Sequence, residues 1–262
     1  MNSFFAAFST ELMKSIKSKV IWITLAFFVF IAIMLGLLML VAKHPEIAEN
    51  SAIISTKASL ISNADWPTYL ALLLQMGLVL GSLGSGIVAI WIFGREYSDR
   101  VIKDILALPV SRFNIVLSKS VLILSWSILL MIILFALGII TGLLVRLDGW
   151  SDQLFHKTLM TYCLSSFLTI MLFTPVTLVT SMSRGYLLPV GFIILIMIIT
   201  QLIGVGLTFI TPYFPWIIPA IISGIAGPTN PEANIFSWII LGITVLLGFT
   251  GTAAWWQYAD QH

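Results

Sequence analysis

Charge is scarce in this sequence. Asp, Glu, Lys and Arg together make up 9% of its 262 residues, while 59% are hydrophobic. A soluble domain is roughly a quarter charged, so little of this chain is built for water. With a net charge of only +2 and no basic cluster interleaved with aromatic residues, nucleic-acid binding is excluded. The single cysteine, Cys163, cannot form an internal disulfide and reads as a packing residue inside an apolar run. His44, His156 and His262 fall in loops or at the end, so no cofactor or metal is expected on this chain. There is no H-E-x-x-H, no G-x-S-x-G and no helical pair of carboxylates, which removes the common hydrolases. Nor is there a G-x-x-x-x-G-K-[ST], so the chain cannot bind ATP in that manner itself. Gly77, Gly81, Gly84 and Gly86 superficially resemble a phosphate loop, but no Lys-Ser or Lys-Thr follows and the run is too apolar to hold an anion.

What the sequence does have is long apolar runs. A bilayer core of about 30 Å needs about 20 apolar residues at 1.5 Å per residue. Spans are expected near residues 20–41, 66–93, 120–145, 158–182, 186–210 and 235–256. The expected fold is therefore an all-α integral membrane protein of six transmembrane helices, forming a single domain over 1–262. Gly77 and Gly81 have the small-xxx-small spacing that lets helices approach closely in lipid. Pro175 should kink the fourth span.

Three segments lie outside the spans. Residues 1–19 repeat Phe4, Phe8, Leu12 and Ile16 at every fourth position, with Ser3, Glu11, Lys14 and Lys17 on other faces. That pattern predicts an amphipathic helix lying in the membrane interface, in contact with lipid. Residues 211–234 stay apolar but carry Pro212, Pro215, Pro219, Pro228 and Pro231, which predicts short broken helices at one membrane face. Trp255, Trp256 and Tyr258 then suit an aromatic anchor at headgroup level. Lys14, Lys17, Lys19, Arg95, Arg100, Lys103, Arg112, Lys119 and Arg184 fall on one side, and only Lys43, Lys57, Arg146 and Lys157 on the other. The excess of positive charge places both termini in the cytoplasm.

Inside the spans no acid or base is expected, so a self-powered, ion-coupled transporter is disfavoured. The polar exceptions Gln75 and Gln201 suit a helix-to-helix hydrogen bond or a substrate contact. With Ser82, Ser85 and Thr200 they could line a path between the second and fifth spans.

A bundle of this kind must receive its energy from elsewhere. The candidate receiver is the segment 94–115. Ser98 or Asp99 can cap a short helix from about Arg100 to Leu108, and Pro109 ends it. Val101, Ile102, Ile105 and Leu106 share one face, with Arg100 and Lys103 opposite. Ser111 can then cap the third span.

At these residues, Phe93-Gly-Arg-Glu96-Tyr-Ser-Asp-Arg-Val-Ile-Lys-Asp-Ile-Leu-Ala-Leu-Pro109-Val-Ser-Arg112 followed by Lys119, the sequence resembles the permease subunits of type-2 ATP-binding-cassette exporters. It is most similar to the small bacitracin and lantibiotic self-protection permeases. Val101 departs from the pattern, since many relatives carry Thr there. The resemblance implies a bacterial cell-membrane protein that pairs with a second permease, either a copy or a similar chain. It also implies two separate ATPase subunits that bind the ATP and Mg. It makes segment 94–115 a coupling helix, with the apolar face of Val101, Ile102, Ile105 and Leu106 in a groove on the ATPase subunit. Glu96 and Asp99 would hold the hinge by pairing with Arg95, Arg100 or Arg112. The function so implied is export of a hydrophobic or amphipathic substrate. The competing reading is a membrane scaffold with no transport path, which wholly apolar packing between spans two and five would favour.

Overall fold

The computed structural model describes residues 3–44, 63–99, 111–227 and 230–258. Among these there is no strand. The chain folds as helices α1 (Ser3–Ile16), α2 (Lys19–Lys43), α3 (Trp66–Ser98), α4 (Arg112–Val145), α5 (Asp152–Met171), α6 (Phe173–Ser183), α7 (Leu187–Gly206), α8 (Ile218–Ile222) and α9 (Ile235–Tyr258). A 3₁₀ turn over Thr208–Tyr213 lies between α7 and α8. Six elements are long and apolar enough to cross a membrane: α2, α3, α4, the α5–α6 pair, α7 and α9. The protein is a helical membrane protein, as the apolar runs predict.

Local chemistry sets the ends of these helices. Ser18, Asp65 and Ser111 each stand in extended backbone before a helix and accept an early amide, from Val20, Thr68 and Asn114 respectively. Arg146 and Arg184 end α4 and α6 in the left-handed conformation.

The fourth span breaks at Leu172. Pro175 has no amide to give Met171, and the freed carbonyl is taken instead by the Thr174 hydroxyl at 3.3 Å. The same hydroxyl also reaches the Val245 carbonyl of α9 at 3.0 Å.

Packing uses the glycines as the spacing predicts. A Cβ on Gly77 would sit 2.7 Å from the Tyr162 ring, and one on Gly81 2.9 Å from Met131. The two sites mark where α3 meets α5 and α4 closely. Tyr69 and Tyr162 bury their rings while their hydroxyls donate to carbonyls of α4, at Gly138 and Met131.

Three expectations change. Trp256 is not a headgroup anchor: it is fully buried, edge-on to Phe93 and Tyr97, and donates from Nε1 to Ser181 Oγ at 3.0 Å. Cys163 lies exposed on the surface of α5 rather than packed. The third is α1, whose buried residues are Glu11 and Ser15, flanked by half-buried Phe4 and Phe8. Its exposed side carries Phe5, Leu12, Met13 and Ile16. Glu11 is therefore on the inward face and not on a polar one.

Candidate functional site

Two polar places interrupt the apolar bundle, one along the middle of α3 and one at its C-terminal end. The first is a cavity of about 260 Å³ between α3 and α7, floored by the α5–α6 break and covered by the proline-rich segment. Gln75, Ser82, Ser85, Thr200 and Gln201 all line it, with Thr169 added from α5. Along the sequence these five residues are scattered polar exceptions; the fold brings them to one wall. Around them stand Val79, Val176, Ile193, Met197 and Trp216, and no lining residue carries a charge.

The hydrogen-bonding capacity of the cavity is uneven. Ser85 donates to Gly81 O at 2.6 Å, Thr169 to Ser165 O and Thr200 to Ile196 O, each at 2.7 Å. Their protons are spent within their own helices, so they face the cavity as acceptors. Gln75 and Gln201 are exposed, and neither makes a hydrogen bond to another described residue. Their carboxamides supply both donors and acceptors. The cavity can thus hold an apolar body while matching neutral polar groups on it.

The second place is an ion cluster near the C-terminal end of α3, where Glu11, Arg95, Glu96 and Lys119 are all buried. The Lys119 ammonium has three protons and three acceptors: Glu11 Oε2 at 2.9 Å, Glu96 Oε1 at 2.8 Å and Ile92 O at 3.2 Å. Arg95 pairs with Glu11 and, through Nε at 3.3 Å, with Glu96. Its guanidinium also lies over the Trp91 ring. Lys14, partly exposed, closes the group at 3.2 Å from Glu11 and 3.6 Å from Glu96.

Burial works against the charged Glu11 carboxylate. Lys119, Arg95 and Lys14 outweigh it and hold its pKa down at about 2. One lysine side chain thus ties α1 to α3 and α4. Neutralised in this way, Arg95 and Glu96 sit within helix, and α3 continues past Phe93 to Ser98.

Sequence reasoning missed Glu11 as a member of this group and read Lys119 only as the opening of a span. A signal was present: Phe4, Phe8, Glu11 and Ser15 are spaced as one face of a helix.

Of the coupling residues, Glu96 is the one in this cluster. Asp99 caps α3, with its amide bonded to Arg95 O at 2.8 Å, and its side chain is exposed. Arg112 turns to the end of α9 and donates to the carbonyls of Trp256 and Gln257. Arg100, Val101, Ile102, Lys103, Ile105, Leu106 and Pro109 lie outside the described residues.

The architecture is thus a six-span bundle that holds a charge-free cavity and a separate buried ion cluster. Over 190 residues the chain is 28% identical to the bacitracin transport permease protein BCRB of Bacillus licheniformis, covering 72% of this chain and 89% of that protein. Residues 7–201 match the family model described as ABC-2 family transporter protein, a stretch reaching from the inward face of α1 to Gln201 in the cavity wall. The chain belongs to the ABC-2 transporter family, as a transmembrane permease subunit.

Proposed function

We propose that this chain is the membrane-spanning part of an exporter driven by ATP, moving a hydrophobic or amphipathic substrate out of the cell through the cavity between α3 and α7. The observation that carries this reading is that cavity. Five polar side chains from two spans face one uncharged space, whereas a scaffold would have packed the same surfaces with apolar residues. Similarity to a bacitracin transport permease favours an amphipathic peptide among such substrates. Both termini lie on the cytoplasmic side, with α1 in the interface and its exposed Phe5, Met13 and Ile16 against acyl chains.

Energy comes from a separate ATP-hydrolysing subunit that carries the ATP and Mg. It docks on the segment 100–109, with the apolar side chains of Val101, Ile102, Ile105 and Leu106 at its surface. A second permease, a copy or a similar chain, completes the assembly. Solubilised gently from native membranes, the tagged protein is expected to bring down a stoichiometric ATPase. Changing Ile105 and Leu106 to Asp should abolish that capture while leaving the thermal stability of the bundle unchanged. Isolation of the chain alone, with no associated ATPase activity, would return the scaffold reading.

The cavity makes a separate prediction. Gln75→Leu with Gln201→Leu removes its two carboxamides without adding charge or volume to speak of. Export should fall about tenfold, the scale of one or two lost hydrogen bonds to a desolvated ligand, while the partner continues to hydrolyse ATP. Export at the wild-type rate would remove these residues from the path.

A further inference from the structure

The last helix takes no part in the mechanism above, yet Arg112, toward the end of the segment 94–115, is fastened to it. Arg112 opens α4 and donates from Nη1 to Trp256 O at 3.3 Å and to Gln257 O at 3.0 Å. Both carbonyls belong to the last described turn of α9, toward the negative end of the helix dipole. A guanidinium satisfies that end with charge and geometry together. Phe113 adds an edge-on ring contact to Phe249 of the same helix. The start of α4 therefore grips α9 at two levels.

From there α9 is joined to α6 along its length. Trp256 bonds Ser181 at one end. Thr252 and Thr177 share a hydroxyl bond at 3.0 Å, and Thr174 reaches Val245 O at 3.0 Å. Between them Gly248 brings α9 against the backbone of Thr174 and Pro175. These are short, desolvated contacts, and no layer of flexible side chains separates the helices. In contrast, α6 meets α5 only at the break, where Leu172 leaves the α-helical ladder and bonds Thr169 O at 3.3 Å. Leu172 and Val176 are both in the cavity wall.

We propose that α6 and α9 move as one body hinged at Leu172, and that Arg112 is the positioning residue handing movement at the α3–α4 connection to that body and so to the cavity wall. This rests on the reading of the chain as a driven exporter. It assigns to Arg112 a contact with α9 and takes it out of the surface that docks the ATPase. The last span then becomes the arm by which a stroke at one end of the bundle reaches the α5–α6 break.

The test uses the intact assembly in vesicles, with ATP hydrolysis and export measured on the same preparation. Arg112→Gln should lower the amount exported per ATP hydrolysed roughly tenfold, the scale of one charge-assisted hydrogen bond, while still capturing the ATPase. Arg112→Lys should recover part of that loss. In a Cys163→Ser background, Thr177→Cys with Thr252→Cys should cross-link and leave export unchanged, because a bond inside one rigid body restrains nothing.

An unaltered export ratio in Arg112→Gln would overturn the proposal. Loss of ATPase capture by that variant would also overturn it, since Arg112 would then belong to the docking surface. Loss of export on cross-linking would show the two helices sliding and would equally sink it. Wild-type vesicles that hydrolyse no ATP and export nothing would instead take down the exporter reading itself, and the coupling role with it.

Discussion

Replacing Lys119 with methionine is expected to cost on the order of 3–5 kcal/mol of stability, the range for stripping one partner from a buried ion pair. Methionine nearly matches the lysine stem in length, so the loss is one of charge and hydrogen bonding more than packing. Glu11 and Glu96 would be left in the interior with Arg95 and the partly exposed Lys14 as their cations. The helix that suffers first is α1, since Glu11 is the group that fastens it and no other charged residue of α1 is buried.

The pH dependence provides the signature. In the wild type the Glu11 carboxyl is held near 2, below its ordinary 4.5. Its contribution is present above about 4.5 and lost as the pH falls toward 2, so between pH 7 and 5 wild-type stability from this group is flat. With Lys119 gone, the largest of the lowering influences is lost while Arg95 and Lys14 remain, and the Glu11 carboxyl rises from about 2 toward its ordinary 4.5. The variant should then lose less stability than the wild type as the pH falls from about 4.5 toward 2. Melting temperatures of the detergent-solubilised protein at about pH 7 and about pH 3 test this, with Lys17→Met as the control for an exposed charge. If Lys119→Met melts like that control, or loses as much as the wild type on acidification, the cluster is not what holds α1.

Gly248→Val should be nearly as damaging. A Cβ built at Gly248 lies 2.5 Å from both Pro175 N and Thr174 C, and both are backbone atoms at the break in the fourth span. Overpacking commonly costs about 1–3 kcal/mol where side chains can shift. Here they cannot, so a loss of about 3 kcal/mol or more is expected, with the Thr174 and Thr252 bonds to the facing helix broken as α9 is pushed away. Gly242, on the same helix with nothing within 4 Å of such a Cβ, is the matched control. Its change to Ala should be neutral or add up to about 1 kcal/mol through helix propensity. Equal melting temperatures for the two variants would mean that α6 and α9 are not in backbone contact at Gly248.

The face of α1 shows how a pattern can mislead. Residues repeating every fourth position turn about 40° too far at each step, so by the third step Phe4 and Ile16 are about 120° apart. The spacing 4, 8, 11, 15 stays within about 40° of one line, and that line is buried. Glu11 was readable as an inward residue from helical geometry alone. An acid on an apolar face carries its own objection, however, and only the cations of two other helices remove it. Trp256 is a similar case. An aromatic residue at the end of a last span suits a headgroup anchor, and nothing local says that Phe93, Tyr97 and Ser181 will surround it.

What the sequence by itself determined is the membrane, the helices and the polar exceptions within the apolar runs. Lipid offers the backbone no hydrogen bonds, so each long apolar run must satisfy its own as a helix. That requirement is met within each run, and a reading of neighbours along the chain captures it. Gln75, Ser82, Ser85, Thr200 and Gln201 were likewise visible, because a polar group in such a run is costly wherever it points. What only the tertiary structure decided is which of these groups meet. Glu11 finds Arg95 84 residues away and Lys119 108 residues away; Gln75 and Gln201 reach one cavity from different spans. Such meetings are set by the rotation and crossing of helices packed through Gly77, Gly81 and Gly248, and a repeat read along one helix holds no information about the azimuth of another.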